Sequence, residues 1–130
     1  MIENRFLMDS SAWIEYFRAT ALGAKVKNII EGGENIVLTP NIVAAEVVSK
    51  IARSGEETEK AVEAIRNLSV PAEEKQSYYL EAGKLHSAMK KQFENISLAD
   101  SIIKVLGEKN NANIITKDAH LKGKNTIFIG

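Results

Sequence analysis

Short apolar runs alternate with longer amphipathic stretches along this chain, and that alternation restricts the available folds more than any other feature. Residues 6–8, 36–38, 113–115 and 126–129 read as strands, and the 36–38 and 113–116 runs have the Ile- and Val-rich character of strands buried on both faces. Helical patterns occupy about 11–19, 21–31, 40–54, 56–67, 73–93 and 97–109, and Leu68 to Val70 before Pro71 reads as one more short strand. The boundaries carry the expected punctuation. Gly32-Gly33 stops one helix, Thr39 and Pro40 supply an N-cap and a first-turn proline, Ser54-Gly55 ends that helix, and Ser97 opens another. Strands alternating with helices predict an α/β fold, three layers deep, with a small and mainly parallel central sheet. The 130 residues contain no repeat, low-complexity tract or linker, so one domain over 1–130 is expected.

Composition narrows the chemistry. The chain has no cysteine, which excludes disulfides, thiol catalysis and thiolate metal sites. Its formal net charge is zero, so any nucleic-acid binding must use a local patch. Asp9 interrupts the first apolar run too early for a leader peptide, and no segment has the roughly 20 apolar residues of a membrane helix. A cytoplasmic protein with no membrane partner is expected. The stripe Tyr79, Ala82, Leu85, Met89 and Phe93 has helical spacing and reads as core or as a dimer face.

Four acids then stand out by their positions. In an open parallel sheet, ligands bind beyond the carboxyl ends of the strands. Asp9 ends the first strand and Asp118 follows the 113–116 strand, so both belong to that rim. Glu46 and Asp100 lie in the opening turns of helices that should start there. Helical projection turns Glu46 away from the apolar arc of Val43, Ala44, Val47, Val48 and Ile51, towards Ser49, Lys50 and Arg53. Asp100 likewise points away from the centre of the arc formed by Leu98, Ile102, Ile103 and Leu106. Each acid also has a local role open to it. Asp9 and Asp118 suit helix caps, Asp100 suits a Ser97-x-x-Asp100 capping box or a pair with Lys104, and Glu46 suits a solvated surface. Convergence would change the energetics, because two carboxylates 4 Å apart repel by about 4 kcal/mol at an effective dielectric near 20. Such a cluster requires a cation, and oxygen donors select Mg2+ or Mn2+.

Three blocks carry a family resemblance: "LMDSSAWIEYF", "TPNIVAAEV" and "ISLADSIIKVLGEKNNANIITKD", in that order. Together they resemble the PIN-domain superfamily, and within it the VapC-type toxin ribonucleases. The resemblance implies a PIN-like fold with Asp9, Glu46, Asp100 and Asp118 as the metal-holding and catalytic acids. Asp118 matches the most variable of the four. Ser11 and Thr116 match small polar residues that hydrogen-bond the acids or a metal-bound water. The implied activity is Mg2+- or Mn2+-dependent endonucleolytic hydrolysis of RNA, leaving 5′-phosphate and 3′-hydroxyl ends. The implied partners are an RNA substrate, a small VapB-like antitoxin and a second copy in a homodimer, with the antitoxin lying against helices 40–54 and 56–67.

Cations available to border the cleft are Lys50, Arg53, Lys104, Lys117 and Lys122, whereas His86 and His120 read as incidental. Two other function classes remain open. One is a catalytically silent PIN-fold module that binds RNA or a partner. The other is a metal-dependent phosphatase or phosphotransferase in which Lys117 would hold a phosphoryl group on Asp9.

Overall fold

The computed structural model describes residues 4–123 and 125–130. Its elements follow in the order β1 (Arg5–Met8), α1 (Ser10–Phe17), α2 (Ala21–Ile30), β2 (Ile36–Thr39), α3 (Asn41–Arg53), α4 (Glu59–Leu68) and β3 (Val70–Pro71). The second half adds α5 (Gln76–Met89), α6 (Leu98–Lys109), β4 (Asn113–Thr116), a short 3-10 turn at Ala119–Leu121, and β5 (Thr126–Phe128). All strand pairs are parallel, in the order β3-β2-β1-β4-β5. The alternation of runs is therefore realised as a five-stranded sheet between helical layers, as the sequence predicts.

Handedness assigns the helices to faces. From β1 the chain moves to β2 and then β3 in one direction across the sheet, and from β3 it returns past β1 to β4. Right-handed crossovers therefore put α1 to α4 on one face and α5 with α6 on the other. The packing agrees: α1 lies against α2 and α3, α3 against α4, and α5 against α6. Between β1 and β4 the order of connection reverses, which opens a crevice at the carboxyl ends of those two strands.

The central strands are buried on both faces. Leu7, Met8, Ile114 and Ile115 are all sealed from solvent, and the register sets Leu7 beside Leu38 and Ile114, and Met8 beside Ile115. Trp13 of α1 is fully buried, stacks on Phe17 and donates its indole N–H to Thr39 Oγ1 at 3.0 Å. Thr39 in turn exchanges a 2.8 Å bond with Ser69. That use of Thr39 corrects one expected boundary. Thr39 closes β2, and Pro40, with ψ of 150°, occupies the N-cap position of α3. The hydroxyl that would have capped the helix is needed instead by a buried indole, whose N–H is costly to leave unpaired.

Helix α5 is also shorter than the 73–93 pattern suggests. Ala82 is buried, Tyr79 and Leu85 pack partly against the core, and Phe93 lies beyond the helix, 43% exposed.

Helices α1 and α2 meet at Gly23. A β-carbon there would stand 2.1 Å from the carbonyl oxygen of Glu15, whereas one at Gly83 on α5 would meet nothing within 4 Å. Gly23→Ala should therefore lower stability by about 1–3 kcal/mol through forced displacement of α2. Gly83→Ala should raise it by about 0.5–1 kcal/mol, since alanine loses less entropy in a helix. Urea unfolding of both variants checks the contrast.

Candidate functional site

Each acid reaches the β1/β4 crevice for a local reason. Asp9 leaves β1 directly, with its N–H donating to Ile115 O on β4 at 3.1 Å. It occupies the N-cap position of α1 yet makes no side-chain capping bond. Asp9 is 5% exposed, and its carboxylate instead accepts from Ser11 Oγ at 2.9 Å and Thr116 Oγ1 at 2.7 Å, both on Oδ2. The Ser11 hydroxyl also accepts from the Lys117 N–H at 2.9 Å, and Thr116 Oγ1 accepts from the Asp118 N–H at 2.9 Å. Two hydroxyls thus tie the end of β1 to the turn after β4 and hold Asp9 in one orientation.

Asp100 and Asp118 do cap. Ser97 and Asp100 form a reciprocal capping box at the start of α6, with Ser97 N–H donating to Asp100 Oδ2 at 3.1 Å and Asp100 N–H donating to Ser97 Oγ at 3.0 Å. Asp118 caps the 3-10 turn by accepting from the His120 N–H at 2.9 Å. The caps do not remove these acids from the crevice. They fix where the carboxylates stand, and Asp100 does not pair with Lys104.

Glu46 faces the crevice from α3, lining a cleft of about 460 Å³ with Ser10, Ser11, Ser49, Lys50 and Arg53. Its Oε1 is buried and has no hydrogen-bond partner among the described residues. Burial, then the charges of Asp9 and Asp100, push the Glu46 carboxyl above the usual range, against the lowering effect of the Ser10 hydroxyl. Asp100 is raised as well, first by burial and further by Asp118 beside it, against the lowering effect of its bonds to Ser97. Among the described residues no lysine or arginine pairs with any of the four acids.

The tightest grouping includes a residue that sequence reasoning set aside. One ligand atom each from Asp100, Asp118 and His120 lie within 4.8 Å of one another. His120 Nδ1 stands 3.4 Å from Asp118 Oδ1 and 3.8 Å from Asp100 Oδ2. A signal was present in "KDAH": an aspartate that accepts from the N–H two residues on folds that residue back over its own carboxylate. His86 Nε2 lies 3.1 Å from Ile96 O.

The expected cations divide. Lys50 and Arg53 line the cleft. Lys117 Nζ is bound to Glu15 Oε2 of α1 at 3.1 Å, and Lys122 Nζ sits 4.1 Å above the Phe128 ring. Lys104 lines a separate hollow with Glu81 and Leu85 of α5 and with Asn111, Asn113 and Asn125.

The donor set suits a divalent cation: several carboxylates, one with a buried oxygen unpartnered among the described residues, an imidazole beside two of them, and no lysine or arginine paired with any among the described residues. The family model of the PIN domain matches residues 6–125. The chain is a PIN domain. Its fold is similar to three solved structures. VapC20 from Mycobacterium tuberculosis, a toxin that cleaves the sarcin-ricin loop, matches at TM-score 0.68 and 17% identity over 89% of this chain and 92% of that one. VapBC2 from Rickettsia felis, bound to a DNA fragment from its promoter, matches at 0.66 and 13% identity over 89% of each chain. FitAcB from Neisseria gonorrhoeae matches at 0.57 and 20% identity over 87% of each. No curated protein matches this PIN domain in sequence.

Carboxyls raised in the folded state bind protons more readily than in the unfolded chain. In chelator, the native state therefore loses stability as pH rises from the ordinary values of 4.5 for Glu46 and 3.8 for Asp100 through their higher folded values. Glu46→Gln should remove its share of that loss. Its melting temperature should exceed that of the parent at pH 7 in EDTA, and the gain should shrink towards pH 4, as calorimetry across that range would record.

Proposed function

We propose that this PIN domain is a Mg2+- or Mn2+-dependent endoribonuclease of the VapC type, the cytoplasmic toxin of a toxin–antitoxin pair. The observation that carries the reading is that Asp100 and Asp118 group with His120 while Glu46 feels the charges of Asp9 and Asp100, with no lysine or arginine paired with any of these acids among the described residues. Membership of the PIN family and the fold likeness to a toxin that cleaves the sarcin-ricin loop support RNA as the substrate.

In this reading Asp9, Glu46, Asp100 and Asp118 hold the metal. A bound divalent cation supplies Lewis acidity, sharpening a water as nucleophile and neutralising charge on the phosphoryl oxygens. The chain's own contribution is preorganisation. Ser11 and Thr116 lock the Asp9 carboxylate, and the capping bonds of Asp100 and Asp118 hold theirs, so little reorientation remains when RNA arrives. Lys50 and Arg53, on the same wall of the cleft as Glu46, offer positive charge to phosphates flanking the cut.

Two partners belong to the proposal. A VapB-like antitoxin is supported by the likeness to the paired VapBC2 structure, and the hollow between α1, α3 and α4, lined by Phe17, Ile51 and Ala61, is its seat. A homodimer is supported by Leu80 on α5 and Leu98 on α6, which are among the most exposed large apolar side chains. The phosphotransfer alternative loses support, because the Lys117 ammonium is held by Glu15 rather than turned to Asp9. The silent-module alternative gives no reason for mutually repelling carboxylates to stay together.

Asp100→Asn keeps an oxygen for the Ser97 cap while removing the charge. It should therefore fold normally and cut labelled RNA at least about a hundredfold more slowly than the parent protein. Unchanged cleavage by the purified variant would refute the assignment. Mn2+ at about 100 times its dissociation constant should stabilise the parent by roughly 2.7 kcal/mol, with EDTA reversing the rise in melting temperature.

A further inference from the structure

We infer that His120 is a nitrogen ligand to the divalent cation, alongside Asp100 and Asp118, and that it biases the site towards Mn2+ over Mg2+. The inference rests on the reading that the acids hold a cation at all, and concerns which donors complete its shell.

Geometry carries it. Donors bound to one small cation at about 2.1 Å lie about 3.0–3.4 Å apart, depending on whether the arrangement is octahedral or tetrahedral. His120 Nδ1 is 3.4 Å from Asp118 Oδ1 and 3.8 Å from Asp100 Oδ2, and one ligand atom from each of the three lies within 4.8 Å of the others, so side-chain movement of about an ångström brings them to a common centre. Each donor is held by a different device. Asp100 is fixed by its capping box, Asp118 by its bond from the His120 N–H, and the imidazole by Phe93, whose ring stands edge-on with centroids 6.0 Å apart. The imidazole is thus positioned by the turn below it and the aromatic ring beside it, with Nδ1 facing the two carboxylates.

Donor chemistry then sets the preference. Mg2+ holds oxygen ligands and water, and gains little from an imidazole. Mn2+ lies further along the series of metals that accept nitrogen, so a histidine in the shell favours it. A histidine serving only as an electrostatic neighbour of the acids would affect both ions alike, and that difference separates the two roles.

The test uses the full chain loaded with Mn2+ and examined by pulsed electron paramagnetic resonance, with Mn2+ and Mg2+ affinities from calorimetry. The parent should show coupling of the metal to a directly bound 14N nucleus. His120→Gln should lose that coupling and bind Mn2+ about tenfold more weakly, with Mg2+ affinity changed less than about threefold. His86→Gln should retain the coupling. Mn2+ bound by the parent without 14N coupling, or equal weakening of both metals in His120→Gln, would overturn the inference and leave the acidic site intact. No Mn2+ binding by the parent would overturn both. The spectrum of the parent decides the ligation even if a variant folds poorly.

Discussion

The structure depends on the parallel pairing of β1 with β4. These strands are separated by most of the chain, yet their register, Leu7 beside Ile114 and Met8 beside Ile115, delivers Asp9 and Thr116 to the same edge. The last rung of that ladder is the bond from the Asp9 N–H to Ile115 O, and the next contact is already the site, where Thr116 donates to the Asp9 carboxylate. A shift of one residue would turn Leu7, Met8, Ile114 and Ile115 to opposite faces and separate Asp9 from its hydroxyl partners. The apolar contacts that align the strands therefore also assemble the polar cluster. The topology adds the other two walls, because the chain leaves β1 towards α1 to α4 on one face and reaches β4 from α6 on the other.

The acids show how local and long-range demands are reconciled. Asp100 and Asp118 satisfy free N–H groups at the starts of helical segments while presenting carboxylate to the crevice, so capping and clustering coexist. Asp9 is the exception. It holds the position from which an aspartate normally caps, and its carboxylate turns instead to two hydroxyls. Glu46 is mismatched with its surroundings, with one buried oxygen lacking a partner among the described residues and two neighbouring negative charges. Buried polar atoms are rarely left in that state without a ligand to meet them.

Most of the scaffold was readable from the chain because its signals are local. The apolar runs at 36–38 and 113–116 and the stops at Gly32-Gly33 and Ser54-Gly55 each act within a few residues, and the elements form where those signals lie. Thr39 departs from its expected capping role for a reason that lies elsewhere, since its hydroxyl is claimed by Trp13 and Ser69. Phe93 continues a helical stripe in the sequence but falls past the end of α5, beside His120. Lys104 and Lys117 were reasonable cations for the cleft until distant partners and neighbouring helices turned them elsewhere.

The sequence alone determined that this chain builds a covered parallel sheet, and that Asp9, Glu46, Asp100 and Asp118 sit where strands end or helices begin on one rim. Those conclusions need only side-chain periodicity, turn chemistry and the rule that a parallel sheet presents its carboxyl ends together. Tertiary structure alone decided that Ser11 and Thr116 both bond the same oxygen of Asp9, and that His120 joins Asp100 and Asp118. The reason is geometric: periodicity places a residue on a face, but contacts of a few ångströms follow from strand register and the twist of a turn, which depend on residues a hundred positions away.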